Sequence, residues 1–415
     1  MKAMKNIKKQ EQILSRRSFL RTTGQTAVAL GLFGAASVAQ ATANKGREVP
    51  SGKKIRVGII GCGSVSWKYI PDLQSRPYIE LVSACDIIRS RAEEKAKEFK
   101  IPNVYGHIDE MLKGAEFDLL VDTTSMTEHY KINKIGLEAG KHVWSEKPMA
   151  YSIANGQELI DLAKKNKVGF WAAPCMVTSP QFEFMARRVA EGKLGRVAGA
   201  RAFYGHNGHK WLWAPEFFMD GGGGSLCDLG VYNITTLTGV LGPAKRVCGM
   251  SSILHPNLTL TNHEGQKVDV KVQADENSQL LIDHGNGMFS QVMTGFSLFD
   301  SAKPHDAMEK DKTTIEIYGD SGVMNLVGYD WGPAGIDMAT AEDPQMKRYC
   351  TDAEGFGWQQ GAAYVAKRLL TGERSLITPE HALHCLEIML ACRESSRTGK
   401  YIDIKTTFDW PVIKA

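Results

Sequence analysis

One short segment decides the fold of this chain: Lys54-Ile55-Arg56-Val57-Gly58-Ile59-Ile60-Gly61-Cys62-Gly63-Ser64-Val65-Ser66. Its first half is rich in β-branched residues and predicts a strand, and its second half predicts a tight turn that opens a helix. Gly61 permits the turn, and Gly63 lets the backbone approach an anion at the helix N-terminus, where free amides favour negative charge. Ser66 replaces a third glycine and is small enough for close helix–strand packing. The segment predicts a pyrophosphate-binding turn that comprises Gly61, Gly63, Ser64, Val65 and Ser66.

The next predicted strand, residues 79–86, ends in an acidic residue, Asp86. A carboxylate at this place can accept hydrogen bonds from both hydroxyls of an adenosine ribose, and it repels a 2′-phosphate. Asp86 therefore favours NAD as the cofactor. Arg89 and Arg91 follow closely, so NADP stays open. The alternative role of Asp86 is to cap the predicted helix at residues 89–99.

Strands and helices alternate through the first half of the chain, which predicts an α/β fold with a doubly wound parallel sheet. The predicted strands are residues 54–60, 79–86, 117–122, 141–144 and 168–173, and the predicted helices are residues 89–99, 128–139 and 153–166. Together they define an N-terminal Rossmann domain at residues 53–173.

A second α/β domain is predicted at residues 174–400, followed by a C-terminal tail at 401–415. Four stretches in it alternate polar and apolar residues and are joined by short turns; they are residues 267–274, 278–283, 288–294 and 313–318. This alternation is typical of a large, mostly antiparallel open sheet with one covered face.

The run Ala139-Gly140-Lys141-His142-Val143, followed by Glu146-Lys147-Pro148, resembles the signature of the Gfo/Idh/MocA oxidoreductase family. The resemblance extends over nearly the whole chain after residue 53. It implies that Lys147 lies beside the nicotinamide ring of the cofactor and that Glu146 is an acid on the cofactor side. It also implies that Thr124 and His129 border the cofactor, because they fall in the loop and helix after the fourth strand.

A second motif is Gly221-Gly222-Gly223-Gly224-Ser225-Leu226-Cys227-Asp228-Leu229-Gly230-Val231-Tyr232. In the family a glycine run precedes Asp-x-Gly-x-His on a helix. Asp228 matches the acid, and Tyr232 stands where the family has histidine, which resembles the tyrosine subgroup that includes glucose–fructose oxidoreductase. The i, i+4 spacing puts both side chains on one face of a helix. Together with Lys147, they are the predicted catalytic residues.

These three side chains suit the oxidation of an alcohol by hydride transfer. The Lys147 ammonium can stabilise the developing alkoxide, and we expect burial and the nicotinamide to lower its pKa. Tyr232 is the candidate general acid and base, with a pKa that we expect the Lys147 cation to lower. Asp228 can accept a hydrogen bond from a neighbouring hydroxyl, as sugars and polyols provide. The alternatives are a surface lysine, a core aromatic residue and a helix cap.

A polar and aromatic stretch precedes the glycine run. Its candidates for contact with a sugar ring are His206, His209, Trp211 and Trp213. Aromatic faces with hydrogen-bonding neighbours suit such a ring, and the alternative is that these residues anchor a loop. His381 and His384, on the last predicted helix, are interpreted as structural.

The first 43 residues have the order of a bacterial secretory signal: a basic segment, a moderately apolar segment and two Ala-x-Ala cleavage sites. Their centre, Ser15-Arg16-Arg17-Ser18-Phe19-Leu20-Arg21, resembles the twin-arginine export signal. Since this route exports folded proteins, it predicts a periplasmic or otherwise exported protein that binds its cofactor before export and retains it. The alternative is a basic, disordered tail.

The charge of the chain is unevenly placed. The whole chain has 50 Lys and Arg against 46 Asp and Glu, but residues 1–43 hold seven of the former and one of the latter, which leaves 43 against 45. The remainder therefore has no excess of basic residues, and we predict no nucleic-acid partner.

The eight cysteines form no zinc-binding spacing, and no metal site is predicted. No segment is long and apolar enough for a stable membrane span.

The sequence therefore predicts an exported NAD(P)-dependent oxidoreductase that transfers hydride between a tightly held cofactor and a sugar, glycoside or polyol. One alternative is a glycoside hydrolase that oxidises C3 transiently and then eliminates the aglycone. The other is a cofactor-bearing binding protein without turnover. The resemblance further implies a homodimer or homotetramer joined through the open sheet, besides the export machinery as a transient partner.

Overall fold

A parallel sheet forms the first half of the molecule. The computed structural model describes residues 47–207, 214–220, 222–262, 265–298 and 312–414. The strands of this sheet are β1 (Ile55–Ile60), β2 (Ile79–Cys85), β3 (Asn103–Tyr105), β4 (Leu119–Asp122), β5 (His142–Ser145) and β6 (Phe170–Ala172). They pair in the order β3-β2-β1-β4-β5-β6, all in parallel. The strand order reverses between β1 and β4, and the crevice at such a reversal is where α/β sheets bind ligands.

Helices pack on the faces of this sheet. They are α1 (Ser66–Gln74), α2 (Arg89–Phe99), α3 (Ile108–Lys113), α4 (His129–Glu138) and α5 (Ile153–Asn166). The strands are nearly continuous runs of buried apolar residues, with Val57, Ile59, Leu119 and Val121 fully inaccessible. Such runs are expected where a parallel sheet is covered on both faces.

A larger, mixed sheet forms the second half. Its strands are β7 (Val197–Gly205), β8 (Arg246–Ser252), β11 (Asn277–Gly285), β12 (Met288–Gly295), β13 (Thr313–Gly319), β14 (Gly322–Tyr329), β15 (Gly332–Thr340), β16 (Lys347–Tyr349) and β17 (Ile402–Asp403). A separate hairpin contains β9 (Asn257–Thr261) and β10 (Lys267–Lys271), and the helices are α6 (Pro180–Ala190), α7 (Val231–Leu241), α8 (Gly361–Thr371) and α9 (Pro379–Thr398). The strand order is β16-β15-β14-β13-β7-β12-β11-β8-β17.

Pairing in the mixed sheet is antiparallel except between β7 and β12. The predicted fold class, a Rossmann sheet followed by a mostly antiparallel open sheet, is confirmed. Helices α7 and α9 pack on one face. The other face carries exposed apolar side chains, namely Met250, Leu281, Phe289 and Tyr318.

The last helix is tied to the C-terminal tail by two buried histidines, in agreement with their structural interpretation. His381 lies 2.8 Å from the Thr238 hydroxyl through Nε2 and stacks on Phe408 with a ring separation of 4.0 Å. His384 Nε2 accepts a hydrogen bond from the amide of Ala244. Burial lowers the pKa of His381 to about 3 and that of His384 to about 4.

Some predicted features fall outside the described residues: the leader at residues 1–43, Gly221, His209, Trp211 and Trp213. Within the described part, all eight cysteines are free thiols, and six of them are buried. No described helix combines the length and the apolar character needed to cross a membrane.

Candidate active site

Lys147 lies just after β5 and points across to the second half of the molecule. Its Nζ donates hydrogen bonds to Asp228 Oδ1 at 2.7 Å and to the Asp228 carbonyl oxygen at 3.0 Å. The two side chains are 11% and 13% exposed, so this ion pair is well shielded from water. An ammonium group has three N–H bonds. The third has no acceptor among the described residues and is available to a ligand.

Asp228 and Tyr232 reach the same place from one continuous helical segment. Asp228 lies in a π-helical turn, Leu226–Gly230, that leads directly into α7, and Tyr232 lies in the first turn of α7. Lys147 Nζ is 5.6 Å from the centre of the Tyr232 ring. The predicted convergence is therefore observed, although the sequence predicted an ordinary α-helix. Single π-helical turns occur frequently at functional sites.

An ion pair between a partly buried arginine and a buried aspartate fixes the glycine loop that precedes Asp228. Arg393, on α9, donates from Nε to Asp275 Oδ1 at 2.7 Å and from Nη2 to the carbonyl of Gly223 at 2.6 Å. Asp275 Oδ2 accepts from the Ser225 hydroxyl and the Leu226 amide. Gly224 has φ +96°, and a Cβ there would lie 2.6 Å from Asp275 Oδ1. The glycine run is therefore required by this close packing and by the left-handed backbone.

The charges around Lys147 and Tyr232 favour their protonated forms. Burial alone would lower the pKa of Lys147, but the negative charges of Asp228 and Glu146 outweigh it and raise that pKa. Burial, helped by Glu146, Asp228 and Asp330, raises the pKa of Tyr232 well above its ordinary value. Both shifts are opposite to the sequence-based expectation, which included neither the burial of Tyr232 nor the surrounding carboxylates.

Glu146 is held from two sides at the end of β5. Its Oε1 accepts a hydrogen bond from the Tyr69 hydroxyl at 2.5 Å, and its Oε2 accepts from the amide of Lys147 at 3.0 Å. Tyr69 in turn accepts from Trp144 Nε1. Glu146 is only 6% exposed, so its carboxylate has a fixed position and adds a negative charge beside Lys147.

Thr124 and His129 lie together where β4 leads into α4. Thr124 donates from its amide and its hydroxyl to Asp122 Oδ1, at 3.0 Å and 2.6 Å. His129 Nδ1 lies 2.8 Å from the carbonyl oxygen of Pro148, and Nε2 lies 3.1 Å from that of Thr124. Because carbonyl oxygens only accept, both contacts are hydrogen bonds when the ring carries both N–H groups. His129 thus ties this loop to the Glu-Lys-Pro segment.

The glycine turn has the shape that a dinucleotide requires. Gly61 has φ +88°, and a Cβ there would lie 2.5 Å from the backbone of Thr123, so only glycine fits. A Cβ at Gly63 would meet nothing within 4 Å, which leaves its backbone open to a ligand. Ser66 is fully buried and donates from its hydroxyl to the carbonyl of Gly63. It supports the turn from behind rather than facing a ligand.

Asp86 lies beside this turn, directly after β2. Its Oδ2 accepts from the amide of Cys62 and its Oδ1 from the amide of Ile88, both at 2.8 Å. These bonds leave a lone pair on each oxygen for ribose hydroxyls. Asp86 is not the N-cap of α2, since that position is Ile88. Arg91 lines the cavity described next, while Arg89 pairs with Glu93 on the surface at 3.0 Å.

Most of the predicted site residues border one cavity of about 920 Å³. Of the predicted site residues, those that line it are Gly61, Gly63, Ser64, Val65, Asp86, Thr124, His129, Glu146, Lys147, Asp228 and Tyr232. The cavity therefore joins the glycine turn to the Lys147–Asp228 pair, and its residues fit a nicotinamide dinucleotide. His206, a predicted substrate residue, does not line the cavity. Its ring stacks on that of Phe296, with ring centres 6.0 Å apart, and lies against Tyr204.

Other lining residues have no recognisable sequence signal. Trp358, from the loop before α8, lies edge-on to Tyr69 at 6.1 Å. Segment 214–217 and the β9–β10 hairpin, through Asn262 and Val268, also line the cavity. In the described part of the chain, no cluster of His, Cys, Asp and Glu could hold a metal ion.

Comparison with known protein families gives two matches. A Gfo/Idh/MocA model, described as an oxidoreductase family with an NAD-binding Rossmann fold, matches residues 55–173. A model of the Gfo/Idh/MocA C-terminal domain matches residues 182–325.

Individual proteins resemble the chain more distantly. Trans-1,2-dihydrobenzene-1,2-diol dehydrogenase from Bos taurus is 31% identical over 195 residues, 46% of this chain and 57% of the relative. The same enzyme from Xenopus tropicalis is 25% identical over 76% of this chain and 89% of the relative. In the first curated relatives that it matches, such as the Bos taurus enzyme, the chain spans little more than half of the relative's length. A levoglucosan dehydrogenase structure with NADH and levoglucosan has a TM-score of 0.72 at 18% identity, over 85% of this chain and all of that one.

Proposed function

Because the chain belongs to the Gfo/Idh/MocA oxidoreductase family, we propose that it is an exported NAD-dependent dehydrogenase of a sugar, glycoside or polyol in the tyrosine subgroup. The observation that carries the proposal is the Lys147–Asp228 pair at 2.7 Å, with Tyr232 beside it, in the cavity that also contains the glycine turn. The named activities of the relatives, on a dihydrodiol and on an anhydrosugar, support a substrate with hydroxyl groups.

The residues of the chain would hold the cofactor along the cavity. The amides around Gly63 bind the pyrophosphate at the N-terminus of α1, and Asp86 binds the adenosine ribose. Ile87 and Ile88 directly follow Asp86 and are 85% and 45% exposed, which gives the adenine an apolar surface. The negative charge of Asp86 disfavours the 2′-phosphate of NADP, so NAD is the proposed cofactor.

When bound, NAD supplies the hydride acceptor for the oxidation of an alcohol. Lys147 donates its third N–H to the reacting oxygen, and Tyr232 exchanges a proton with that oxygen. Asp228, already bonded to Lys147 through Oδ1, has a second oxygen that accepts from a hydroxyl on the adjacent carbon. This division of labour suits a vicinal diol, because one carbon is oriented by Asp228 while the other reacts.

The leader at residues 1–43 supports a location outside the cytoplasm. Free nicotinamide cofactor is scarce there, so the cofactor must enter during folding and stay bound. Turnover then needs two substrates: one alcohol is oxidised to a carbonyl compound, and a second carbonyl compound is reduced to an alcohol, which returns the cofactor to its first state.

The first experiment measures cofactor in the full chain folded in bacterial cells. Denaturation of the purified protein should release NAD in stoichiometric amounts, identified by mass spectrometry. Protein that contains no nicotinamide and binds none when NAD is added would refute the proposal.

A second experiment identifies the substrate: a panel of sugars is tested, and the absorbance of the reduced cofactor is followed. Release of nitrophenol from a nitrophenyl glycoside without a second substrate would instead assign the glycoside hydrolase reaction.

Lys147→Ala tests the chemistry of the site. The loss of the ammonium group should lower kcat by about 10²- to 10³-fold, as removal of a donor to a developing oxyanion does, while bound NAD remains. Lys165→Ala, which alters an exposed lysine on α5, is the matched control. A Lys147→Ala protein with unchanged kcat would contradict the assigned role.

A further inference from the structure

The cavity has an outer wall that the sequence did not predict. This outer wall consists of segment 214–217 and the β9–β10 hairpin, and its lining residues are Ala214, Pro215, Glu216, Phe217, Asn262 and Val268. We propose that the outer wall is part of the cofactor site and slows the release of NAD. The proposal rests on the proposed function, because it concerns the retention of that same cofactor.

The outer wall packs on a small hydrophobic cluster that also includes Leu229 of the π-helical turn. Leu260, Val270 and Val272, in and beside the hairpin, pack with Phe218 and Phe296 in a cluster separate from the main core. The amides of Gln273 and Ala274 both donate to the carbonyl oxygen of Phe218, at 2.8 Å and 3.1 Å. The hairpin is therefore fixed to segment 214–217.

The outer wall faces the loop that borders the cofactor on the Rossmann side. Thr124, Met126 and Lys131 line the cavity together with the outer wall. At Gly222, just after segment 214–217, a Cβ would lie 3.2 Å from both Met126 Cβ and Pro148 Cγ. A dinucleotide that fills the cavity therefore contacts both sides.

The size of the outer wall suggests how release is controlled. A two-stranded hairpin is marginally stable by itself, and its core here contains few residues. Parts of a protein with small cores open at lower free energy than the main core. Opening of this unit would free the cavity while the Rossmann sheet stays folded, so the stability of the hairpin sets the rate at which NAD leaves.

The hairpin can be removed without stretching the chain. The amide of Val272 donates to the carbonyl oxygen of Pro256 at 3.0 Å, so the two ends of the hairpin lie side by side. Residues 257–271 can therefore be replaced by Asn-Gly, which forms a tight turn. A milder variant is Val268→Ser, which keeps the hairpin and alters one side chain that lines the cavity and packs against the hydrophobic cluster. Its control is Thr259→Ala, because Thr259 is exposed and bonds Asp269 on the hairpin.

The experiment follows the loss of NAD from the full-length holoprotein after a chase with isotopically labelled NAD. We expect the hairpin replacement to speed release at least tenfold, Val268→Ser to speed it less, and Thr259→Ala to leave it unchanged. Circular dichroism and one cooperative thermal transition verify folding of each variant.

The outcomes separate this inference from the proposed function. If the wild-type protein binds no NAD, the proposed function fails. If the wild-type protein holds NAD and the folded hairpin replacement releases it at the same rate, only the role of the outer wall is refuted. An unchanged release rate with a raised KM for the sugar would also overturn it, because the hairpin would then belong to the substrate side.

Discussion

In the proposed reaction, the protonation of Lys147 and Tyr232 would decide which direction of catalysis is favoured. Burial lowers the pKa of Lys147, but the carboxylates of Asp228 and Glu146 outweigh it and raise that pKa, whereas burial and the carboxylates together raise the pKa of Tyr232. At neutral pH both therefore keep their protons and are donors toward an oxygen atom. Two hydrogen-bond donors favour the reduction of a carbonyl group. The reverse reaction, oxidation of an alcohol, first requires that one of these two groups loses its proton.

This arrangement predicts a one-sided pH dependence. The rate of alcohol oxidation should rise with pH through 9 and above, while carbonyl reduction stays constant up to the same region. Tyr232→Phe should lower kcat about 10²- to 10⁴-fold, the usual contribution of a general acid or base, and should remove the rise. Tyr130→Phe, which changes a tyrosine bonded to Glu158 outside the cavity, is the control. A plateau in wild-type oxidation below pH 8 would contradict the prediction.

The predicted site residues follow from short motifs, whereas the residues that support them do not. Lys147 and Asp228 are 81 positions apart, yet each stands in a motif that resembles a family pattern. Arg393 and Asp275 are 118 positions apart and have no such motif, and only folding brings them to the glycine loop. Trp358 is similarly an isolated aromatic residue in the sequence. Local sequence patterns therefore indicate the function, whereas contacts between distant residues fix the geometry of the site.

At the scale of elements, the longer helices and strands of the first half were predictable, because apolar runs and glycine stops mark them. The short β3 and α3 were not predicted, since three and six residues carry little periodicity. The π-helical turn Leu226–Gly230 was not, since one extra residue in a turn leaves no trace in the periodicity. The β9–β10 hairpin was also missed in part: residues 267–274 were predicted as a single long strand, whereas β10 ends at Lys271. Strand β10 pairs with β9 in a separate two-stranded sheet, outside the main sheet.

Helix α9 positions the glycine loop through Arg393, and this contact can be tested. Arg393→Met leaves the Asp275 carboxylate buried without its cation, which should cost about 3 kcal/mol and lower Tm by about 4 °C for a chain of this size. Because the loop carries Asp228, kcat should also fall, whereas the NAD content stays constant. Arg393→Lys should restore part of both losses.

Arg397→Met, four residues along the same helix, removes only a surface pair with Glu394 in which Arg397 is 73% exposed. It should change neither Tm nor kcat. If Arg393→Met behaved like this control, Arg393 would not be a positioning residue.

His384 makes the packing of α9 sensitive to acid. Its Nε2 accepts from the amide of Ala244, and only a neutral ring has that lone pair. Its pKa is lowered to about 4 in the folded protein from about 6.5 when unfolded. The stabilisation is complete above pH 6.5 and is lost as the pH falls toward 4, by about 1.4 kcal/mol per pH unit and about 3 kcal/mol in total.

The measurement is urea unfolding between pH 7 and pH 4. His384→Gln keeps an acceptor for the Ala244 amide but cannot gain a proton, so its unfolding free energy should fall less steeply than that of the wild type. His107→Gln changes an exposed histidine and should retain the wild-type slope. Equal slopes for His384→Gln and the wild type would exclude this role.

At the scale of the whole molecule, the face of the mixed sheet opposite α7 and α9 carries a group of exposed apolar side chains. Met250 is 77% exposed, Leu281 and Phe289 are each 48% exposed, and Tyr318 is 40% exposed. The register places them on one face, since Met250 pairs with Gln279, two residues before Leu281 in β11. Apolar residues grouped on one face are typical of an interface. We propose that a second copy of the chain covers it and that the protein is a homodimer or a dimer of dimers.

Leu281→Glu tests this assembly. In a two-fold interface the substitution occurs twice, and burial of each unpaired carboxylate should cost several kcal/mol, so the dissociation constant should rise by about 10³-fold or more. Light scattering after size-exclusion chromatography should then find dimers of the wild type and monomers of the variant, with the same circular dichroism spectrum. Leu254→Glu, at a residue 60% exposed outside the strands, is the matched control and should remain dimeric. A monomeric wild type at micromolar concentration would refute the assembly through this face, and it would leave the intramolecular Lys147–Asp228 site intact because both residues belong to the same chain.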